Sequence, residues 1–244
     1  MSRRGTLLLG WVLALLVIAL FTRLGFWQLA RMHEKQALLA AAHAVVSERV
    51  PHPLSLAGDA GRTTQYDWAS GGGHFTAAAP VLLDNQSRDD RAGVRVYRVF
   101  QPEGDGVAPL LVELGWLPVP GDRTMPAIAP IAGPQRIDGL LAPPPSGGLA
   151  RAIAMPQADG SLLTITLDLP MLRRALHLPA LAPRVLKLDP ALPIGYARDL
   201  DILPNTLPPQ RHLGYAVQWF GLALTVLVTA LVLTLRKPGA HPTP

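Results

Sequence analysis

The side chain best placed to do chemistry is His212, in the run Arg211-His-Leu-Gly-Tyr-Ala-Val-Gln-Trp-Phe220. A neutral imidazole is a metal ligand, and this one stands where a loop gives way to a long apolar run. On a helix His212, Tyr215 and Trp219 fall at i, i+3 and i+7 and share a face. Gln218 falls off that face. Its amide is costly against lipid, so it is expected to meet another helix or a partner. Two readings stand side by side. His, Tyr and Trp are amphipathic and gather at the headgroup level of a bilayer. A histidine at a defined depth can also ligate a haem through a ring nitrogen.

A second constellation, Trp27, Gln28, Arg31, Glu34 and Lys35, follows the other apolar run. Trp27, Arg31, Glu34 and Lys35 line one helical stripe. Two antiparallel spans would bring this stripe and His212–Trp219 to one membrane face. A haem needs an axial ligand, apolar ring contacts and a cation for its propionates, and these residue types supply them. The alternative is that Trp27 is an interfacial anchor and Arg31 a snorkelling charge.

Elsewhere the catalytic signals are weak. There is no Gly-x-Ser-x-Gly elbow, phosphate loop, His-Glu-x-x-His or dinucleotide fingerprint. Asp84, Asp89 and Asp90 share a polar stretch, but Arg88 and Arg91 interleave with them. This favours a charge-balanced loop over a cation site. His33, His43, His52, His74, His177 and His241 do not cluster. The chain has no cysteine, which excludes disulfides, iron–sulfur clusters and thiolate metal sites.

The elements that must position His212 begin with two apolar runs. Leu213–Leu235 carries no charge and, at 1.5 Å per residue, is long enough for a hydrocarbon core of about 30 Å. Gly5–Thr22 is shorter but in range. It runs into Arg23-Leu-Gly-Phe-Trp-Gln-Leu rather than a small-residue cleavage site, so it reads as a retained anchor. Net charge is +5, yet Arg3, Arg4, Arg236 and Lys237 at the ends account for nearly all of it. The segment 23–212 holds the other 18 basic residues and all 17 acidic ones. That distribution is a topology signal rather than a nucleic-acid signal. It places both termini in the cytoplasm of a bacterium and the middle in the periplasm.

The expected fold is an α+β membrane protein with two terminal transmembrane helices flanking a β-rich extracytoplasmic domain. Its parts are a first span (5–22), a juxtamembrane helix (23–50), a periplasmic domain (51–212), a second span (213–235) and a cytoplasmic tail (236–244). Residues 24–46 are rich in helix formers, and Pro51 and Pro53 end that helix. Strands are predicted at 63–68, 74–84, 93–100, 109–116, 135–141, 162–167 and 184–189. A long polar connection is predicted at 84–93, a helix at 169–178, a turn at 143–148 and an extended return at 203–210.

Four motifs then carry a resemblance. They are Leu24-Gly-Phe-Trp-Gln-Leu-Ala-Arg31 with Glu34-Lys35; Val81-Leu-Leu-Asp-Asn85 with Gly93; Leu111-Val-Glu-Leu-Gly-Trp-Leu-Pro118; and His212–Phe220. In order and spacing the chain resembles the surfeit locus protein 1 (Shy1) family of cytochrome c oxidase assembly factors. The resemblance implies two spans around a β-rich outer domain and a non-enzymatic role. It also implies transient binding of haem a for insertion into oxidase subunit I. His212 maps onto the family's proposed haem ligand and is the expected iron ligand. Tyr215 and Gly93 map onto its tyrosine and glycine. Tyr215, Trp219, Trp27 and Arg31 complete the expected haem-binding set. The expected partners are oxidase subunit I, other oxidase assembly factors and the lipid bilayer, with no nucleic acid. Two family arginines are absent: Glu113-Leu114 precedes Gly115-Trp116 where Asn-Arg is usual, and Gln86 stands where Arg follows Asp-Asn. The rival expectations are a cofactor-free membrane scaffold for oxidase assembly intermediates and a membrane-tethered periplasmic enzyme.

Overall fold

The computed structural model describes residues 3–145, 153–202 and 207–236. Among them are three α-helices: α1 (Arg3–Glu48), α2 (Leu169–Ala175) and α3 (Pro209–Leu235). The nine strands are β1 (His52–Pro53), β2 (Asp67–Phe75), β3 (Val81–Arg88), β4 (Arg91–Pro102), β5 (Leu110–Pro118), β6 (Pro134–Ala142), β7 (Ala154–Pro156), β8 (Leu162–Thr164) and β9 (Val185–Leu188). The chain forms two compact units. One is Met1–Leu38 with Leu207–Pro244, and the other is Leu39–Thr206.

In the first unit, α1 and α3 are both long and apolar enough to cross a membrane. Many of their large apolar side chains are exposed: Leu8, Leu16, Leu20, Val217, Leu224 and Leu233 are each more than half exposed. Such helices suit lipid as solvent, where the backbone must satisfy itself. At 46 residues, α1 is about 70 Å long, more than twice a hydrocarbon core. It is continuous through the predicted juxtamembrane segment because no proline interrupts it before Pro51. It stops at Arg49, which turns left-handed (φ 48°). α3 begins at Pro209, whose fixed φ suits a first turn and whose missing N–H is not needed there. His212 therefore lies inside the first turn of the helix rather than at the end of a loop.

The second unit is a sheet closed on itself. β2, β6, β9, β5 and β4 follow one another, and β4 returns to β2 through Gly73↔Pro102 to Phe75↔Phe100. β3 runs beside the other part of the same β4 edge, with β8 and β7 beyond it, and β1 pairs with β2. Alternation sorts the side chains. Val94, Val96 and Phe100 of β4, with Leu110, Val112 and Leu114 of β5 and Leu186 and Leu188 of β9, fill an inner core. Tyr97, Val99, Leu111 and Val185 face the other way, into a second core with Leu169, Leu172 and Leu176 in and after α2. A bulge changes the register between Val96/Gly115 and Tyr97/Glu113, leaving Leu114 as the extra residue. Gly115 takes φ 125° there, a backbone that a side chain would strain. α2 starts where expected: Asp168 caps Met171 N at 2.7 Å and Pro170 opens the first turn. It stops at Ala175, short of the expected Leu178, with His177 left-handed behind it.

The strands predicted over 93–100, 109–116, 135–141 and 184–189 form within about two residues. Four other expectations are corrected. Residues 63–66 precede the strand rather than form it, and β2 instead runs through Gly71-Gly-Gly73, a glycine run that reads locally as loop. The predicted strand 74–84 divides, because Thr76–Pro80 leaves the sheet between the end of β2 at Phe75 and the start of β3 at Val81. The predicted polar connection 84–93 is largely strand. Arg88 pairs with Arg91 around Asp89 and Asp90, which both take left-handed φ (50° and 57°), making a two-residue hairpin turn. The segment 162–167 yields only the short β8. The turn predicted at 143–148 and the return at 203–210 lie partly outside the described residues, and His241 lies wholly outside them.

Candidate functional site

Within the first unit, α1 and α3 pack antiparallel. Phe21 stacks on Trp219 (ring centroids 5.4 Å apart), and Phe26 meets Phe220 edge-on at 5.3 Å. Trp11 Nε1 donates to Thr234 Oγ1 at 3.0 Å. The stripe of α1 that faces α3 is Phe21, Gly25, Gln28, Met32 and Lys35, at spacings of four and three. Gly25 permits the close approach: a Cβ there would come within 2.6 Å of the Phe220 ring. On α3 the matching stripe is His212, Ala216 and Ala223, all buried.

His212 is 8% exposed. Its Nδ1 lies 2.7 Å from Gln28 Oε1, and its Nε2 is buried with no hydrogen-bond partner among the described residues. Around this pair stand the charged groups of the same end. Arg31 Nη1 donates to Glu34 Oε2 at 2.7 Å, and Lys35 Nζ donates to the Leu207 carbonyl at 2.6 Å.

The other expected site residues fall around this contact rather than in it. Trp27 and Arg31 are exposed, one helical position away from the α3-facing stripe. Tyr215 is 38% exposed, Trp219 is half-buried against Phe21, and Gln218 is exposed. The helix residue that meets His212 is thus Gln28, not Trp27. The pattern carried the signal, since Phe21, Gly25, Gln28, Met32 and Lys35 form a stripe one residue round from the aromatic one. The bulk and charge of Trp27 and Arg31 drew attention to the neighbouring face.

The motif residues of the second unit converge too. Gly93 lies under Trp116, and a Cβ there would overlap both the Trp116 ring and the Leu117 carbonyl. The Trp116 indole donates to the Gln86 carbonyl at 3.2 Å, and Arg91 lies over the ring at 5.9 Å. Asp84 is paired with Arg123, and Arg88 with Asp199 at 2.6 Å, so two charges of the polar stretch 84–91 are neutralised across the fold. Of the departures from the family pattern, Gln86 is the residue whose carbonyl takes the Trp116 indole, and the two residues before Gly115-Trp116 have distinct fates. Leu114 enters the inner core.

Glu113 is buried on the opposite face, between Arg95 and Lys187 (Nζ 3.0 Å from both carboxylate oxygens), and also accepts from Tyr97 Oη at 3.0 Å. Burial alone would raise the Glu113 pKa, but the Lys187 and Arg95 cations win and hold it below the usual value. Burial and the neighbouring Glu113 carboxylate push the Tyr97 phenol well above its ordinary value, so Tyr97 remains a proton donor. This quartet escaped sequence reading because its members come from three separate strands.

The four ordered motifs thus lie on one helix pair and one closed sheet, and a family model covers them together: the SURF1 family, matched over residues 15–224. The chain belongs to the SURF1 family. No curated protein matches it. SURF1 is a family of cytochrome c oxidase assembly factors rather than of catalysts. In this SURF1 chain both apolar helices are candidate membrane spans.

Proposed function

We propose that this protein is a membrane-anchored assembly factor that holds haem a beside His212, on the periplasmic side of a bacterial inner membrane, and presents it to oxidase subunit I. One observation carries the reading: His212 keeps a buried ring nitrogen, Nε2, without a partner while Nδ1 is engaged by Gln28. Buried polar atoms are normally satisfied, and an exception calls for a ligand or a strain to explain it. A neutral imidazole with one nitrogen held and the other free is the donor that haem iron takes. The exposed aromatic rings of Trp27 and Tyr215, with Trp219 and the guanidinium of Arg31 in the neighbouring turns, supply apolar contact and a cation for propionates.

Haem a, when bound, would supply the chromophore and the cargo. The chain's own residues would hold it, exclude water and let it go. The test is purification from cells with and without haem a synthesis. A haem spectrum is expected only with synthesis, and His212→Ala should abolish it while the protein stays in the membrane. An unchanged spectrum in that variant would sink the ligand assignment.

A second reading rests on the same ring: His212 is buried as a residue and its Nδ1 is engaged by Gln28, as in a structural contact. On that reading the protein is a cofactor-free scaffold, and oxidase subunit I would co-purify with it in the absence of any haem absorption.

A further inference from the structure

We infer that Gln28 is a positioning residue for His212, its amide oxygen accepting the Nδ1 proton so that the imidazole is locked in the tautomer whose Nε2 carries a free lone pair. This rests on the haem-ligand reading of His212, but the tautomer itself does not.

Two arrangements fit a distance of 2.7 Å between Gln28 and His212 Nδ1, because an amide offers an acceptor at one end and donors at the other. In one, the oxygen faces the ring, Nδ1 carries the proton and Nε2 is bare. In the other, the NH2 group faces the ring, Nδ1 accepts and the proton moves to Nε2. Nε2 is buried without a partner. The second arrangement would strand an N–H donor there, and orphaned buried N–H groups are rarer than under-satisfied acceptors. The first leaves only an unused lone pair, which is what a metal ligand must have.

The local architecture holds the amide in place. Gly25 lies one turn before Gln28 on the same stripe and lets α1 approach the Phe220 ring. His212 and Ala216 present a shallow surface on α3. The contact joins residues 184 positions apart, so it forms only when the two helices are paired. An acceptor on the distal nitrogen also fixes the ring plane and strengthens the donor character of the free one. Loss of such a partner typically weakens metal binding ten- to hundredfold.

The experiment uses the full chain in detergent micelles, labelled with 15N-histidine and free of haem. Two-bond nitrogen–proton correlations distinguish the tautomers, and His212→Ala identifies the His212 signals. The wild type is expected to show Nδ1 protonated and Nε2 unprotonated. Gln28→Leu should give a mixture or the opposite tautomer, and Gln28→Glu, which keeps an acceptor oxygen, should restore the wild-type pattern. A wild-type ring protonated on Nε2, or a Gln28→Leu pattern identical to wild type, would overturn the inference. A titration with ferric haem follows. Gln28→Leu is expected to bind about ten- to hundredfold more weakly than wild type, with Gln28→Glu close to wild type. If the tautomers behave as stated but wild type and His212→Ala bind haem equally, Gln28 positions His212 and the haem-ligand reading fails by itself.

Discussion

Glu113 shows how one residue can be forced by its surroundings. It lies across from Tyr97 on one neighbouring strand and Lys187 on the other, in register, with Arg95 on the same face. Two cations and a phenol surround one carboxylate, and all are buried. Removing its charge leaves Arg95 and Lys187 uncompensated in a poorly solvated place. Glu113→Ala should therefore destabilise the sheet unit by about 3–5 kcal/mol, the usual penalty for breaking a buried pair from one side. Thermal or chemical unfolding of the detergent-solubilised chain measures this, and a loss below about 1 kcal/mol would show the quartet to be solvated. Asp67 is a second case, buried between Arg62 and the wholly buried Arg184. Burial raises its pKa, but the hydrogen bonds and charges of both guanidiniums outweigh that and lower it.

Among the elements, the helix pair depends on Gly25. A Gly25→Val substitution would drive a branched side chain into the Phe220 ring and separate α1 from α3 at the level of Gln28 and His212. The chain has no cysteine, so a Phe21→Cys/Trp219→Cys variant gives a clean report. It should cross-link efficiently with a short thiol reagent, and adding Gly25→Val should reduce the yield severalfold. Equal yields would mean that the approach tolerates a side chain. The β3–β4 hairpin makes a prediction of opposite sign. Asp89 and Asp90 both take left-handed backbone, which costs a residue with a side chain about 1–2 kcal/mol relative to glycine. Replacing the pair by Asn-Gly, the preferred sequence for this turn, should stabilise the sheet unit by about 1 kcal/mol, read as a raised unfolding midpoint.

At the scale of the molecule, acid should act on the sheet unit through its depressed carboxylates. Glu113 and Asp67 have folded-state pKa values below their unfolded ones. Between the two values the unfolded chain binds more protons, so stability rises with pH there. Their contribution is complete above the ordinary carboxylate range, about pH 4–5, and is lost as pH falls through the lower folded values. The unfolding midpoint of the wild type should drop steeply below about pH 4, and Glu113→Gln should flatten that slope. A midpoint independent of pH in this window would contradict the assignment. The basic residues at the ends make a topology prediction. A fluorescent reporter fused after Pro244 should be active in the cytoplasm, and a phosphatase inserted at Asp122 should be active only in the periplasm. The reverse pattern would overturn the proposed orientation.

Composition and order alone determined the two apolar helices, the charge asymmetry, the β-rich middle, the absence of thiol chemistry and the four motifs that mark the family. These are properties of local runs: uninterrupted apolar length, period-two alternation and residue spacing survive without knowledge of contacts. β4, β5, β6 and β9 were legible for that reason. The strand through Gly71-Gly-Gly73 was not, because its conformation is imposed by pairing with β6 rather than by its own residues. The turn at Asp89-Asp90 was hidden in the same way, since two aspartates signal polarity before they signal left-handed backbone. His212 could be singled out from its type and position, but its partner could not. Whether Trp27 or Gln28 faces it differs by one residue, or 100° around α1, and only the packing of Gly25 against Phe220 fixes that rotation. The Glu113 quartet likewise exists only once three strands lie side by side, for its charges are far apart in sequence and become a single electrostatic unit through the register of the sheet.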